Sequence, residues 1–133
     1  MEKITYEIAQ KEIETWMDAR RVSQSKRKNN ESGVETLIEA VMYGQIVINE
    51  DTNQITQNLA YPLGEDESVK TLVYKSRITQ KEVQDRVSSL KSQDSLSIIS
   101  AYISALTLQP IAVLGKLDST DYSLCQAIAV FFI

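Results

Sequence analysis

The chain has 133 residues, of which 43% are hydrophobic and 24% charged, with a formal net charge of −4. That length suits one sizeable core, the balance argues against global disorder, and the acidic charge argues against nucleic acid as the main partner. With one cysteine and no histidine, the chain lacks an internal disulfide, the Ser-His and Cys-His nucleophile pairs and the commonest zinc ligand, and a cytoplasmic setting is expected.

The opening MEKITYEIAQ carries acidic charge where a secretory signal needs an apolar core, so no such signal is expected. Residues 4 to 22 predict a helix, because Ile4, Ile8, Ile13, Trp16 and Met17 recur near a 3.6-residue period. RRVSQSKRKNNES then predicts a mobile basic linker. In SGVETLIEAVMYG, Ser32 and Glu35 have capping-box spacing, Val34, Leu37, Ile38, Val41 and Met42 form one apolar face, and Gly44 stands where a left-handed C-cap is wanted. QIVIN and QITQNLAY flank the turn-rich EDTN and predict a β-hairpin, followed by a break at Pro62 and Gly64. VKTLVYK predicts a third strand, and such a small sheet needs a helix against one face.

The remainder predicts helices. Thr79 and Glu82 repeat the capping-box spacing ahead of Val83, Val87 and Leu90. Asp94 caps a helix bearing Leu96, Ile99, Tyr102, Ile103 and Leu106. Pro110 opens a short helix that Gly115 ends, and Asp118 caps the last one, with Asp121 in its first turn. Tyr122, Cys125, Ile128, Ala129 and Phe132 share one side of that helix. The uncharged run from Ser95 to Gly115 approaches bilayer length, but its serines and Pro110 suit two buried helices better than a span. The expected fold is α+β, mainly α, as a single domain over 1–133. Its parts are an N-terminal helix with a basic linker arm (1–30), a helix plus a small antiparallel hairpin or three-stranded sheet (31–78), and a short-helix bundle (79–133).

Five features bear on function. Asp118 and Asp121 read either as helix-terminal carboxylates or as an acid–base or cation pair, and capping is the favoured reading because no further oxygen ligands stand nearby. The cluster Arg20, Arg21, Lys26, Arg27 and Lys28 reads as a solvated linker, a phosphate-contacting patch or a surface for an anionic protein. Trp16 serves either as a core anchor or as an interface hot spot, on a helix able to dock on a neighbouring subunit. Cys125 reads as a small apolar core residue, and the ending AIAVFFI as either core or an exposed patch. Gly-rich phosphate loops, G-x-S-x-G elbows and paired C-x-x-C motifs are absent. No catalytic, cofactor or metal set is therefore expected, and the chain reads as non-enzymatic. Partner-binding candidates are Trp16, Met17, Leu108, Ile111, Leu114, Phe131 and Phe132, with self-association left open.

The stretch ISALTLQPIAVLGKLDSTDYSLCQAIAVFF, with YKSRITQKEV before it, resembles the tail assembly chaperones of long-tailed bacteriophages. The resemblance is carried by Leu106 and Thr107, then Pro110, then Leu117, Asp118, Asp121 and Tyr122, and more loosely by Arg77, Thr79 and Glu82. It covers residues 69 to 132, whereas residues 1 to 64 have no counterpart in that pattern. It implies a small helical protein, in the cytoplasm of an infected bacterium, that coats apolar segments of the tape measure protein without catalysis. A small virion adaptor acting through protein contacts is the alternative, and a nucleic-acid-binding regulator working through residues 20 to 28 is a third reading.

Overall fold

The computed structural model describes residues 4–133, and residues 1–3 of the expected N-terminal arm lie outside that range. The fold is α+β and mainly α. Its helices are α1 (Tyr6–Ala19), α2 (Gln24–Asn29), α3 (Glu31–Met42), α4 (Gln80–Val87), α5 (Ser95–Thr107), α6 (Ile111–Leu114) and α7 (Ser119–Ala129). Between α3 and α4 lie the strands β1 (Ile46–Ile48), β2 (Ile55–Leu63) and β3 (Val69–Tyr74), and a 3-10 turn, Val130–Phe132, follows α7.

The strands form one antiparallel sheet in the order β1-β2-β3. Side chains alternate across a strand, so Ile46, Ile55, Gln57, Leu59, Leu72 and Tyr74 point inward, where α3, α5 and α7 cover that face. On the other face Val47, Thr56 and Val73 stand in one cross-strand row, with Val47 and Val73 exposed. The hairpin turns as expected. Asn49 Oδ1 accepts from the N–H groups of Asp51 and Thr52, and Asn53 takes the left-handed conformation (φ 61°).

The helix ends largely follow their capping chemistry. Thr79 and Glu82 form the expected capping box, and the Asp94 and Asp118 side chains accept from the backbones of Ser97 and Thr120. Helix α3 closes in a Schellman motif: Gly44 (φ 73°) donates to Val41 O and Gln45 donates to Ala40 O.

The region read as a mobile linker is instead ordered. Ser23 Oγ accepts from Lys26 N to start α2, and Arg27 ties it back to Val22 O and to Asp18. Asn30 ends α2 and begins α3 while its amide donates to Lys26 O. The capping box expected at Ser32 and Glu35 is therefore absent, because α3 already starts at Glu31 and Ser32 lies inside it.

The N-terminal arm is a core element in the same way. Helix α1 packs on α3 through Ala9, Ile13, Trp16 and Met17, all essentially inaccessible, and Tyr6 Oη donates to Glu35 at 2.7 Å. Trp16 meets the edge of Phe131 at 6.2 Å and the tilted ring of Phe132 at 5.9 Å. Ile8 and Leu96, assigned to apolar faces from periodicity, are exposed, at 53% and 65%. No helix among the described residues is long and apolar enough to cross a membrane.

Burial of Trp16 makes a direct stability prediction. Trp16→Ala should cost about 3–5 kcal/mol, the usual penalty for emptying a large core site, read as a lower denaturant midpoint with an unchanged slope. A shift within experimental error would mean that α1 does not dock on its own chain.

Candidate functional site

Three regions carry chemistry beyond ordinary packing: a buried polar cluster under the sheet, a groove beside the end of α5, and an arginine-lined cavity at the end of α1.

The buried cluster begins with Gln57, which is fully inaccessible in the middle of β2. Its Oε1 accepts from Tyr74 Oη at 2.6 Å and from Cys125 Sγ at 3.3 Å, and its Nε2 donates to the Asp121 backbone carbonyl at 3.0 Å. Pairing between β2 and β3 is interrupted from Asn58 to Leu63, which frees backbone groups on β2 from the ladder. Asp121 supplies the acceptors. Its two carboxylate oxygens take the N–H groups of Ala60 at 2.9 Å and Tyr61 at 3.0 Å, and the residue is 4% exposed. Pro62, next in line, has no N–H to satisfy, so a proline is tolerated within a strand that runs on to Leu63.

The two aspartates therefore have different roles. Asp118 caps α7, whereas Asp121 turns inward and holds β2, so the expectation of capping for both holds for Asp118 alone. Among the described residues, no group of three or more His, Cys, Asp or Glu gathers where an ion could be held. Burial pushes the Cys125 thiol up to about 11, with the Asp121 charge adding to the effect, although its hydrogen bonds with Tyr74 and Gln57 pull the other way. Burial likewise holds the Tyr74 phenol well above its ordinary value, with Cys125 and then Asp121 contributing. Both groups are neutral at pH 7, so the cluster has the chemistry of an internal clamp and offers no thiolate or phenolate nucleophile.

The groove is built around Leu108. Helix α5 ends with Leu108 N donating to Ser104 O at 2.8 Å while Leu108 itself takes the left-handed conformation (φ 62°), a position that favours glycine. Ser104 Oγ donates to Gln109 O at 2.7 Å and accepts from Arg86 Nε at 2.9 Å, which fixes the loop against α4. The result is a shallow cleft of about 320 Å³ whose walls include Leu108, Pro110, Ile111 and Arg86. Leu108 is 62% exposed and Ile111 is half-buried.

Of the other partner-binding candidates, Trp16, Met17, Leu114 and Phe131 lie in the core and Phe132 is half-buried beneath Arg20. They hold the chain together and are not offered to a partner in this conformation. Large apolar side chains on the surface also include Ile8, Val47, Tyr61, Val73 and Leu96.

No protein-family model, no curated protein and no solved structure shows significant similarity to this chain.

The sequence carries a signal for the buried roles of Gln57, which the elements and motifs above do not single out, and of Asp121, whose inward direction they do not anticipate. Gln57 stands in phase with Ile55 and Leu59, the buried side of β2, and Asp121 stands in phase with Leu124, Cys125 and Ile128 on α7. A polar residue on an apolar phase signals a buried partner.

The clamp separates the two aspartates experimentally. Asp121→Ala leaves two backbone donors unpaired and should cost about 3 kcal/mol, whereas Asp118→Ala loses one exposed cap and should cost about 1 kcal/mol, both from urea midpoints. The pH dependence follows from groups kept neutral by folding. Their folded values lie above the unfolded ones, so stability is full below about pH 9 and falls as the Cys125 thiol is titrated toward about 11. The urea midpoint should decline over that window, less steeply in Cys125→Ala, and a flat profile would show that Cys125 is not held in this way.

Proposed function

We propose that the protein is a non-catalytic chaperone of bacteriophage tail assembly that binds apolar segments of a tape measure protein in the cytoplasm of the infected host. The resemblance over residues 69 to 132 supports this reading, and so does the surface around Leu108. One observation carries it: an exposed leucine is held in a backbone conformation that costs an L-residue about 1–2 kcal/mol. Strain at an exposed apolar residue is the kind of local cost that persists where a contact to another molecule depends on it. Leu108 and Ile111 present the apolar wall, and Arg86 stands at its polar edge. An amphipathic client segment laid along such a cleft would bury its apolar positions while its polar side stayed in water.

The outer face of the sheet favours the second reading, a small virion adaptor. Val47, Thr56 and Val73 form a β-branched row across three strands, and Tyr61 on the same strand as Thr56 is also exposed. A broad face of this kind suits a lasting contact between subunits better than transient capture of a segment.

Co-expression with the tape measure protein should raise the amount of that protein recovered soluble, with a complex on gel filtration. Leu108→Gly is the discriminating variant: relief of the left-handed conformation should leave its stability unchanged or raise it by up to about 1 kcal/mol, while the yield of soluble client falls. A variant equal to the parent in both respects would refute the role given to Leu108. Stoichiometric presence of the protein in purified particles would favour the adaptor.

A further inference from the structure

The cavity at the C-terminal end of α1 has a volume of about 630 Å³ and is lined by Arg20, Arg21, Asn53, Ser76, Arg77 and Phe132, among others. Three arginines from two distant segments thus meet around one space, and no Asp or Glu among the described residues lines it.

Arg20 is the fixed member. Its guanidinium lies 3.3 Å above the Phe132 ring centroid and donates to Ser76 O at 2.7 Å and Phe131 O at 3.3 Å. Its Nε is buried and has no acceptor among the described residues. Burial, with the nearby charge of Arg77 adding to it, lowers its pKa to about 10, so it stays cationic at pH 7. Arg21 and Arg77 are exposed and take part in no ion pair among the described residues. Arg21 stands on the cavity wall with a left-handed backbone (φ 57°), a conformation that costs a non-glycine residue free energy.

We infer that this cavity receives the carboxylate of an acidic residue in a polypeptide partner, with Arg21 and Arg77 as exposed donors beside the fixed charge of Arg20. Guanidinium forks match carboxylates geometrically, and partial desolvation strengthens the pairing. The Phe132 ring and Ile78 supply an apolar wall for the methylene stem of the same side chain. A nucleic-acid backbone fits less well, because it needs a basic stripe. Lys26 bonds the Ile133 carbonyl and Arg27 is taken up by Asp18 and Val22, so neither side chain joins the three arginines that line the cavity. The inference rests on the protein-binding role proposed above and adds an acidic position to the partner's chemistry.

The test is an NMR titration of the full chain with acetyl-Glu-Phe-amide, with acetyl-Gln-Phe-amide and with inorganic phosphate. The glutamate peptide should shift the backbone signals of Arg21, Asn53, Ser76 and Arg77 saturably, with the glutamine peptide roughly tenfold weaker, as expected for loss of charge-assisted hydrogen bonds. The double variant Arg21→Gln/Arg77→Gln, whose melting curve should match the parent because both side chains are exposed, should lose that preference. No shift with the glutamate peptide, equal shifts with both peptides, or shifts with phosphate alone would overturn the assignment. The titration needs no client, so failure of the wild-type chain to solubilise the tape measure protein would refute the chaperone role without touching this result. A working chaperone that ignores the glutamate peptide would refute only the cavity.

Discussion

The carboxylate of Asp121 is the constraint on which the arrangement of this protein depends. Burying an ionised carboxylate is expensive unless its oxygens are fully engaged. Here each oxygen takes one backbone N–H from the irregular stretch of β2, and the residue sits in the first turn of α7, where the helix dipole favours negative charge. The same residue's carbonyl accepts from Gln57, whose other amide atom is shared by Tyr74 and Cys125. Strand, bulge and helix are thus fixed by one set of bonds. A slip of β2 by one residue would turn Gln57 to solvent and move the bulge away from its acceptor, so the network penalises wrong register more sharply than apolar packing alone would.

From α7 the constraint passes to the N-terminal helix. Ile128, Ala129 and Phe131 are buried at the far end of α7 and its 3-10 extension, and Phe131 and Phe132 receive Trp16 from α1. Arg20 completes the join by stacking on Phe132 while bonding carbonyls after β3 and after α7. Three segments more than fifty residues apart in sequence are held by one cation and three rings. The cation bonds carbonyl oxygens and has no carboxylate among its hydrogen-bond partners within the described residues, so its full charge is left to act on the adjacent cavity.

Much of the fold was legible because it rests on local chemistry. The Thr79–Glu82 box, the Asp94 and Asp118 caps, the left-handed Gly44 and the EDTN turn are short-range interactions among neighbours, and each forms as its spacing suggests. What escaped sequence reading depends on partners far along the chain. Residues 20 to 30 are polar and basic, with no apolar face to announce a helix, and their order comes from the Ser23 cap and from Arg27 reaching back to Asp18 and Val22. Trp16 and the terminal phenylalanines are ambiguous between core and interface because hydrophobicity serves both, and their mutual contact at long range places Trp16 and Phe131 inside, with Phe132 half-buried. Arg77 gave no sign of belonging with Arg20 and Arg21, since proximity created by β3 leaves no mark in spacing.

The left-handed residues sharpen the contrast between parts of the molecule that specify the fold and parts that do not. Among the described residues, five non-glycine residues have positive φ: Arg21, Asn53, Asp66, Glu67 and Leu108. Asn and Asp tolerate that region through local hydrogen bonding, and Asn53 serves a tight hairpin. Leu108 has no such chemistry, and its exposed side chain gains little from the core. Its backbone is nevertheless bonded to Ser104, and the loop is braced by Ser104, Gln109 and Arg86, so the strained geometry is held rigidly in place. A glycine there would satisfy the helix end at lower cost, which leaves the leucine side chain itself as what the strain sustains.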